Sequence, residues 1–500
     1  MQLAKEDHGS DLMCEQLSRN NWRNDMKRLV ILAIASCACA IGIKAGVRDT
    51  TEISDRVEER YSLSKREPKL LLESAISLID LYTSPMTMVN GVYSYGKSTL
   101  TPLAEIGGGR NYVGGHIDTY ANVRGNNFML EVEYLDGQAR KVERNLTADA
   151  LLLYPHLVAG NIYHDIHRSV LKAEVGFARD MQRWAIGMKL SAKSTHESDS
   201  DPVSPDNFAC DLRAQMSLAK LTDRHRIGLE FSGQKYSQDT EPDVTQGFES
   251  SVYMSQGLGR VMLLEAYDVE YEGHGMSVAA MVTRRRGEVP LQAMLRYGRM
   301  GLKGSNVTGM VTKQENRDLR AEVCYSLDGK FWKQLQLDLG IEQRRTKTGQ
   351  NYDSDCPELK FSAIGRCSVL QTKVEMGYMK RRERNEESVA KLEVGDFRSG
   401  VGVGLVARGK RLLAAPLATL KADFAVDDKC VVLQGEPETN VVNRRIGYYS
   451  KNRFSAQLGV PMTWNLGHKF ALMMTPELYS ELHSGGEKTR WIKMKIGLCF

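Results

Sequence analysis

Long hydrophobic runs are almost absent from this chain. Only one stretch approaches the ~20 apolar residues of a membrane-spanning helix, and the mean hydropathy is −0.37, so a helical membrane protein is excluded. Charge of one sign is equally scarce. The 67 basic and 62 acidic residues leave a net +5, without the clustered basic excess that nucleic-acid binding requires. Nine cysteines are present, but no CxxC and no metal-type spacing, so zinc and other metals are not expected. Scattered as they are, they do not read as a disulfide framework either. What the chain does have is 42% hydrophobic and 26% charged residues and 44 glycines over 500 positions. That is too apolar and too evenly charged for disorder, and long enough for one large domain or about two to four ordinary ones.

The one apolar stretch has the grammar of an export signal. Met26-Lys27-Arg28 is a basic n-region, Leu29 to Ala40 a short apolar core, and Ala38-Cys39-Ala40 a small-x-small cleavage pattern. The organisation expected is a gene-model extension over 1–25, a signal peptide over 26–40, a periplasmic or lumen segment over 41–83, and a β-domain over 84–500. Rival readings are a lipoprotein site at Ile34-Ala35-Ser36-Cys37 and a buried core helix. Cys14, Cys37 and Cys39 fall in the part to be discarded; Cys210, Cys324, Cys356, Cys367, Cys430 and Cys499 remain. Cys356 and Cys367 form the one close pair and could be bridged around a polar turn.

From about Ser84 onward the sequence alternates with period two. Trp184, Ile186, Met188, Leu190 and Ala192 alternate with Ala185, Gly187, Lys189, Ser191 and Lys193. Ile227, Leu229 and Phe231 alternate with Gly228, Glu230 and Ser232, and Leu335 to Ile341 and Val374 to Tyr378 repeat the pattern. Each such segment carries one apolar and one polar face. In a soluble sandwich the apolar face meets a core; in a transmembrane barrel it meets lipid and the polar face lines the interior. Segments of about 9–14 residues suit a tilted membrane strand better than the usual ~5–6. Connections are expected to alternate in length, with a tight turn at Leu135-Asp136-Gly137-Gln138 against long polar loops at Thr195 to Asp206 and Thr346 to Pro357.

The chain end supplies the third signal. Ile492, Met494, Ile496, Leu498 and Phe500 share one face of a strand that alternates to the last residue. In a soluble protein such an edge is an aggregation hazard, whereas a barrel closes it against its first strand. The expectation is an all-β, transmembrane antiparallel β-barrel of about 14 strands (12–16), whose lumen is too wide for wall side chains alone to fill. Leu151 to Ser169, long and non-alternating, is a candidate loop plug. After Pro68, Lys69 to Tyr82 reads as a short amphipathic helix with Leu72, Ala75, Ile76 and Ile79 on one stripe.

Chemical motifs are sparse. Gly91-Val-Tyr-Ser-Tyr-Gly96-Lys97-Ser98 matches the P-loop spacing, but Pro102 and Gly107-Gly108-Gly109 follow where a helix must begin. His164-Asp165-Ile166-His167, with His156 nearby, lacks a spacing that would converge three or four metal ligands. Asp80, His116 and assorted serines compose a hydrolytic triad only on paper. Arg284-Arg285-Arg286 and Lys380 to Arg384 read as solvated strand ends or as contacts to anionic headgroups or lipopolysaccharide phosphates. No catalytic, cofactor or metal residues are expected.

Tyr154-Pro155-His156-Leu157-Val158-Ala159-Gly160, Arg183 to Met188, Arg226 to Leu229 and Ile496 to Phe500 together resemble an outer-membrane β-barrel family of Bacteroidota, catalogued as a domain of unknown function. The likeness runs from roughly Leu70 to Phe500. It implies a signal peptide, the outer membrane of a Gram-negative bacterium and no established activity, so no site residues carry over. The N-terminal segment and the six remaining cysteines depart from it. The function expected is a non-enzymatic channel or an accessory subunit of a nutrient-uptake system. The partners expected are outer-membrane lipid and lipopolysaccharide, the barrel assembly machinery and a TonB-dependent transporter. Alternatives are an outer-membrane hydrolase and a soluble exported β protein.

Overall fold

A computed structural model describes Ala75 and residues 86–500, except 99–108, 199–202, 245–251, 259–260, 265–266, 285–290, 310, 328–329, 347–351, 387–388, 432–447 and 467–469. The leader and extension expected over 1–40, and all of the 69–82 helix except Ala75, lie outside the described residues.

Eighteen antiparallel strands run around a closed barrel. They are β1 Met86–Ser98, β2 Gly109–Val123, β3 Asn126–Asn145, β4 Val158–Met181, β5 Trp184–Ser198 and β6 Val203–Leu221. Next come β7 His225–Val244, β8 Val269–Arg284, β9 Leu291–Ser305, β10 Val311–Ser326, β11 Trp332–Thr346 and β12 Tyr352–Cys367. The circuit ends with β13 Leu370–Asn385, β14 Ala390–Leu405, β15 Leu417–Val431, β16 Arg453–Gly459, β17 Ala471–His483 and β18 Lys488–Cys499. Each pairs with its neighbour in sequence, and β18 closes on β1 in a ladder from Met88↔Cys499 to Ser98↔Thr489. Phe500 completes the seam by exchanging two backbone hydrogen bonds with Thr87, at 2.8 and 2.9 Å. Closure removes the sheet edge that the terminal pattern would otherwise expose.

One end of the barrel carries tight turns at Arg124-Gly125, Gln182-Arg183, Thr222 to Arg224 and Ser368-Val369; the other carries the long connections 146–157, 245–268 and 432–452. Strand parity then fixes the faces. Met188, Leu190, Ile227, Phe231 and Leu339 point outward and are about half exposed, while Lys189, Glu230 and Asp338 on the same strands point into the lumen. Outward aromatics gather at both borders of this apolar band. Phe128, Trp184, Tyr325, Trp464 and Phe500 lie toward the short-turn end, and Tyr95, Tyr297 and Tyr378 toward the other. An apolar belt between aromatic borders on a closed barrel is the construction that meets a bilayer. Among the described residues no helix is long and apolar enough to cross a membrane.

Several expectations are corrected. The strand count is eighteen, not about fourteen, and most strands run longer than expected, because they continue beyond the apolar belt into segments whose outer face is charged and whose alternation is therefore invisible. Thr195–Ser198 and Asp206 belong to β5 and β6, and Tyr352–Pro357 to β12, so the two long loops shrink to 199–202 and 347–351. Leu135-Asp136-Gly137-Gln138 is no turn but the middle of β3, paired with both β2 and β4. Of the plug candidate Leu151 to Ser169, everything from Val158 onward is strand β4. Cys356 and Cys367 sit eleven residues apart on one extended strand, roughly 37 Å at ~3.4 Å per residue, too far to bridge. None of the six described cysteines is in a disulfide.

Candidate functional site

The lumen wall is charged but self-neutralising. Glu375 of β13 faces Lys373 at 2.7 Å, Lys360 of β12 at 3.3 Å and Lys421 of β15 at 3.3 Å. Lys189 meets Glu174 at 2.8 Å, Arg296 meets Glu230 at 3.4 Å, and Glu133 lies between Lys172 at 3.3 Å and Lys493 at 3.8 Å. Arg453 is buried between Asp396 at 3.1 Å and Asp423 at 3.0 Å. Deeper toward the short turns the inner face becomes apolar, where Met86, Met88, Met473 and Cys499 cluster with Val406, Leu413 and Ala415. In mid-wall, the backbone N–H of Ala75 donates to Glu230 Oε2 at 3.0 Å, and Ala75 is fully buried. The chain ahead of β1 thus enters the lumen at this residue.

At the long-loop end the connection after β3 turns inward. It carries one helical turn, α1 Ala150–Leu153, and packs Leu146, Ala150, Leu153, Tyr154 and Leu157 in one buried cluster with wall residues Tyr236, Tyr271, Leu302, Tyr352 and Leu392. Polar anchors come from many strands. Asn207 of β6 donates to Leu146 O at 2.8 Å, and Tyr236 of β7 donates to Asp149 at 3.3 Å. Arg344 of β11 donates to Leu151 O at 2.6 Å and Tyr154 O at 3.2 Å, and Tyr154 donates to Glu383 of β13 at 3.3 Å. His156 Nε2 lies 3.3 Å from Thr346 Oγ1. Burial pushes the His156 pKa down to about 4, because the imidazolium has no water to replace.

A second insertion seats the first. Val252–Ser255 pairs with the start of β4, antiparallel from Val158↔Met254 to Gly160↔Val252, and forms a hairpin with Val261–Leu263. Ser255 N–H donates to Leu157 O at 2.7 Å, and Asn385 of β13 donates to the carbonyls of Gln256 and Gly257, each at 3.2 Å. Gly257 has φ +85°, and a Cβ there would stand 2.8 Å from Pro155 and 2.9 Å from Tyr352. Only glycine lets the hairpin tip wedge between the loop and the wall. From the last long connection, Tyr448 and Tyr449 lie under Arg453 and Arg381, at 4.6 and 4.7 Å from the ring centres. Burial raises the Tyr448 hydroxyl pKa to about 12.

The motif candidates are dispersed. Gly91 to Ser98 forms part of β1, with Gly96 against Trp491, so no phosphate-cradling loop exists there. Asp165 and His167 share the exposed face of β4 with buried Ile166 between them on the other, and His167 pairs with Asp136 at 3.3 Å. His116 Nε2 faces Glu131 at 3.2 Å, and Asp80 lies outside the described residues. Among the described residues no group of His, Cys, Asp or Glu could hold a metal ion. Ile492, Met494, Ile496, Leu498 and Phe500 occupy the outer face of β18 at the closing seam. Of the mouth anchors, the sequence drew attention to Tyr154 and His156. Glu383 lay in the Lys380 to Arg384 cluster expected to be a solvated strand end, yet it is buried against Tyr154, while nothing in the sequence marked Arg344 or Asn385, whose partners lie 128 to 193 residues away.

A family model matches residues 77–500. The chain belongs to a family of unknown function, DUF6850. No curated protein matches it. Among solved structures, CdiB from Acinetobacter baumannii is similar over 84% of this chain and 61% of its own length, with 9% identity and a TM-score of 0.35. The chain therefore spans less than two thirds of that protein. The alcaligin outer-membrane receptor FauA from Bordetella pertussis is similar over 83% and 77%, with 8% identity and a TM-score of 0.42. The toluene transporter TodX from Pseudomonas putida is similar over 87% and 93%, with 10% identity and a TM-score of 0.32.

Proposed function

We propose that this DUF6850 barrel resides in the outer membrane of a Gram-negative bacterium and acts in solute uptake, as a channel or an accessory subunit closed at its outer mouth by its own loops. The observation that carries this reading is the inward fold of residues 146–157, locked by the 252–263 hairpin and anchored to β6, β7, β11 and β13. A mouth packed with protein argues against a permanently open pore. The mixed-sign lumen below it is built to be wet. With the long loops outside, the chain ends at the periplasmic face, and Ile492 to Phe500 present the strand that the barrel assembly machinery would receive. A TonB-dependent transporter is the partner this reading favours for an accessory role. A non-enzymatic role is part of this reading.

Two measurements test this. Unboiled and boiled samples from outer membranes should give two bands on SDS gels; one band, with carbonate extraction, overturns the membrane reading. In planar bilayers the wild type should be silent or nearly so, while a variant with Ala148 to Leu157 replaced by Gly/Ser should show large steps. Equal conductance in both refutes closure by the loop.

A further inference from the structure

The outer face above the apolar belt is not uniform around the barrel, and strand register shows where it changes. On β9 to β15 an unbroken apolar row runs Leu295–Ala321–Leu339–Leu359–Tyr378–Phe397–Phe424. Four residues higher on β9, roughly 13 Å along the strand, the same strands carry Arg299–Arg317–Gln343–Asp355–Arg382–Glu393–Lys429. The next outward row adds Arg345, Asp353, Arg384 and Lys391 around Glu315. Parity places all of these side chains on the outside, toward the long-loop end, directly above the lipid-facing belt.

Their acids do not neutralise them. Glu315 is buried between Arg299 at 2.9 Å and Arg317 at 2.7 Å, and Glu393 meets Lys380 at 2.7 Å, Lys391 at 3.5 Å and Arg382 at 3.6 Å. Asp355 lies 3.4 Å from Arg382, Asp353 lies 3.6 Å from Arg345, and Arg384 meets Glu386. With Lys380 and Lys429 the sector holds eight basic side chains against five acidic ones. The guanidiniums of Arg299, Arg345, Arg382 and Arg384 remain at least half exposed. The carboxylates hold these guanidiniums in place in a row while leaving outward N–H donors. By contrast the neighbouring sector on β6 to β8 presents Asp206, Asp239, Glu241, Glu270 and Glu272 on its outer face, four to eight residues farther along the strands than Met276, the register partner of Arg299.

We propose that the outer face of β9 to β15 is a binding site for a phosphorylated glycolipid of the outer leaflet, its sugar phosphates on the arginine row and its acyl chains on the apolar row beneath. Charge complementarity favours this occupant, since fixed guanidiniums grip phosphate oxygens in pairs, and so does continuity with the lipid-facing belt. A soluble anion would engage the upper row alone. The inference rests on the outer-membrane orientation proposed above.

The test uses the full-length barrel in phosphatidylcholine nanodiscs, checked first for heat-modifiability so that loss of the barrel is seen separately. Native mass spectrometry with bis-phosphorylated lipid A should show retained lipid adducts. The dephosphorylated lipid should be held about tenfold or more weakly, as should lipid A on the triple variant Arg345→Gln, Arg382→Gln, Lys391→Gln. Asp206→Asn with Glu241→Gln and Glu270→Gln, on the acidic sector, should bind like the wild type. Equal retention by the triple variant, or equal loss on the acidic-sector variant, overturns the site. Displacement by millimolar inorganic phosphate would show a simple anion site, and overturns the glycolipid assignment.

Discussion

Acid should loosen the mouth loop through His156. The imidazole is buried beside Thr346, and its pKa sits at about 4 against 6.5 in water. That displacement corresponds to about 3 kcal/mol at 1.36 kcal/mol per decade. The sign follows from which state holds the proton. Above pH 6.5 the ring is neutral whether the loop is docked or released, and docking keeps its full strength. Between pH 6.5 and 4 only the released ring is protonated, so docking weakens steadily; below 4 both states carry the charge and the loss is complete. A cysteine at Leu153, which is buried in the docked loop, reports release by its rate of maleimide labelling after correction for thiolate fraction. The docked-to-released ratio should fall by on the order of a hundredfold from pH 7 to pH 4. His156→Gln in the same background should remove most of that dependence. A flat profile in the parent, or an unchanged slope in the glutamine variant, would falsify the assignment to His156.

Three further outcomes follow from the wall. A Cβ at Gly497 would stand 1.9 Å from Val89 O across the closing seam, whereas one at Gly233 meets open space. Gly497→Ala should therefore lose the heat-modifiable band, by about 3 kcal/mol or more of overpacking, while Gly233→Ala keeps it. Arg453→Met leaves Asp396 and Asp423 without their shared cation; a cost of about 3–5 kcal/mol should appear as a lower temperature for conversion to the unfolded band. Deleting Phe500 removes two backbone hydrogen bonds to Thr87, about 1 kcal/mol each. Its yield of assembled barrel should drop, and an unchanged yield would separate assembly from the terminal aromatic.

The belt was legible in the sequence because lipid imposes period two wherever it touches. Trp184 to Ala192 and Leu335 to Ile341 alternate plainly, and both lie on the outward face within that belt. Above it, water wets the outer face and the lumen face alike. There β10 reads Val-Thr-Lys-Gln-Glu-Asn-Arg-Asp, and nothing in that string separates strand from loop. That is where the expected strand lengths fell short and the loops looked too long. The mouth was half legible. Leu151 to Leu157 stood out because it fails to alternate, yet its lock does not: Gly257 and Asn385 matter only through contacts that closure of the barrel creates. The same limit hid the arginine row as a row: Lys380 to Arg384 stood out as a basic cluster, but the full set is spread over 130 residues and its members become neighbours only through register.

The two kinds of polar surface also argue about how such a barrel could discriminate among solutes. Inside, cations and anions alternate at hydrogen-bond distance, as around Glu375 and Arg453. A wall of this kind has little long-range field of either sign, so it can neither concentrate anions nor exclude them. On the uptake reading proposed above, selectivity comes from steric and specific contacts at the mouth, where Tyr154, Tyr448 and Tyr449 stand among Glu383, Arg381 and Arg453. A solute that opens the mouth has to compete for these partners. Replacing Tyr154 with Phe removes its hydrogen bond to Glu383 while keeping the ring in its cluster. It should raise conductance in planar bilayers without altering charge selectivity. A change in the cation-to-anion permeability ratio would show instead that the wall, not the mouth, sets what passes.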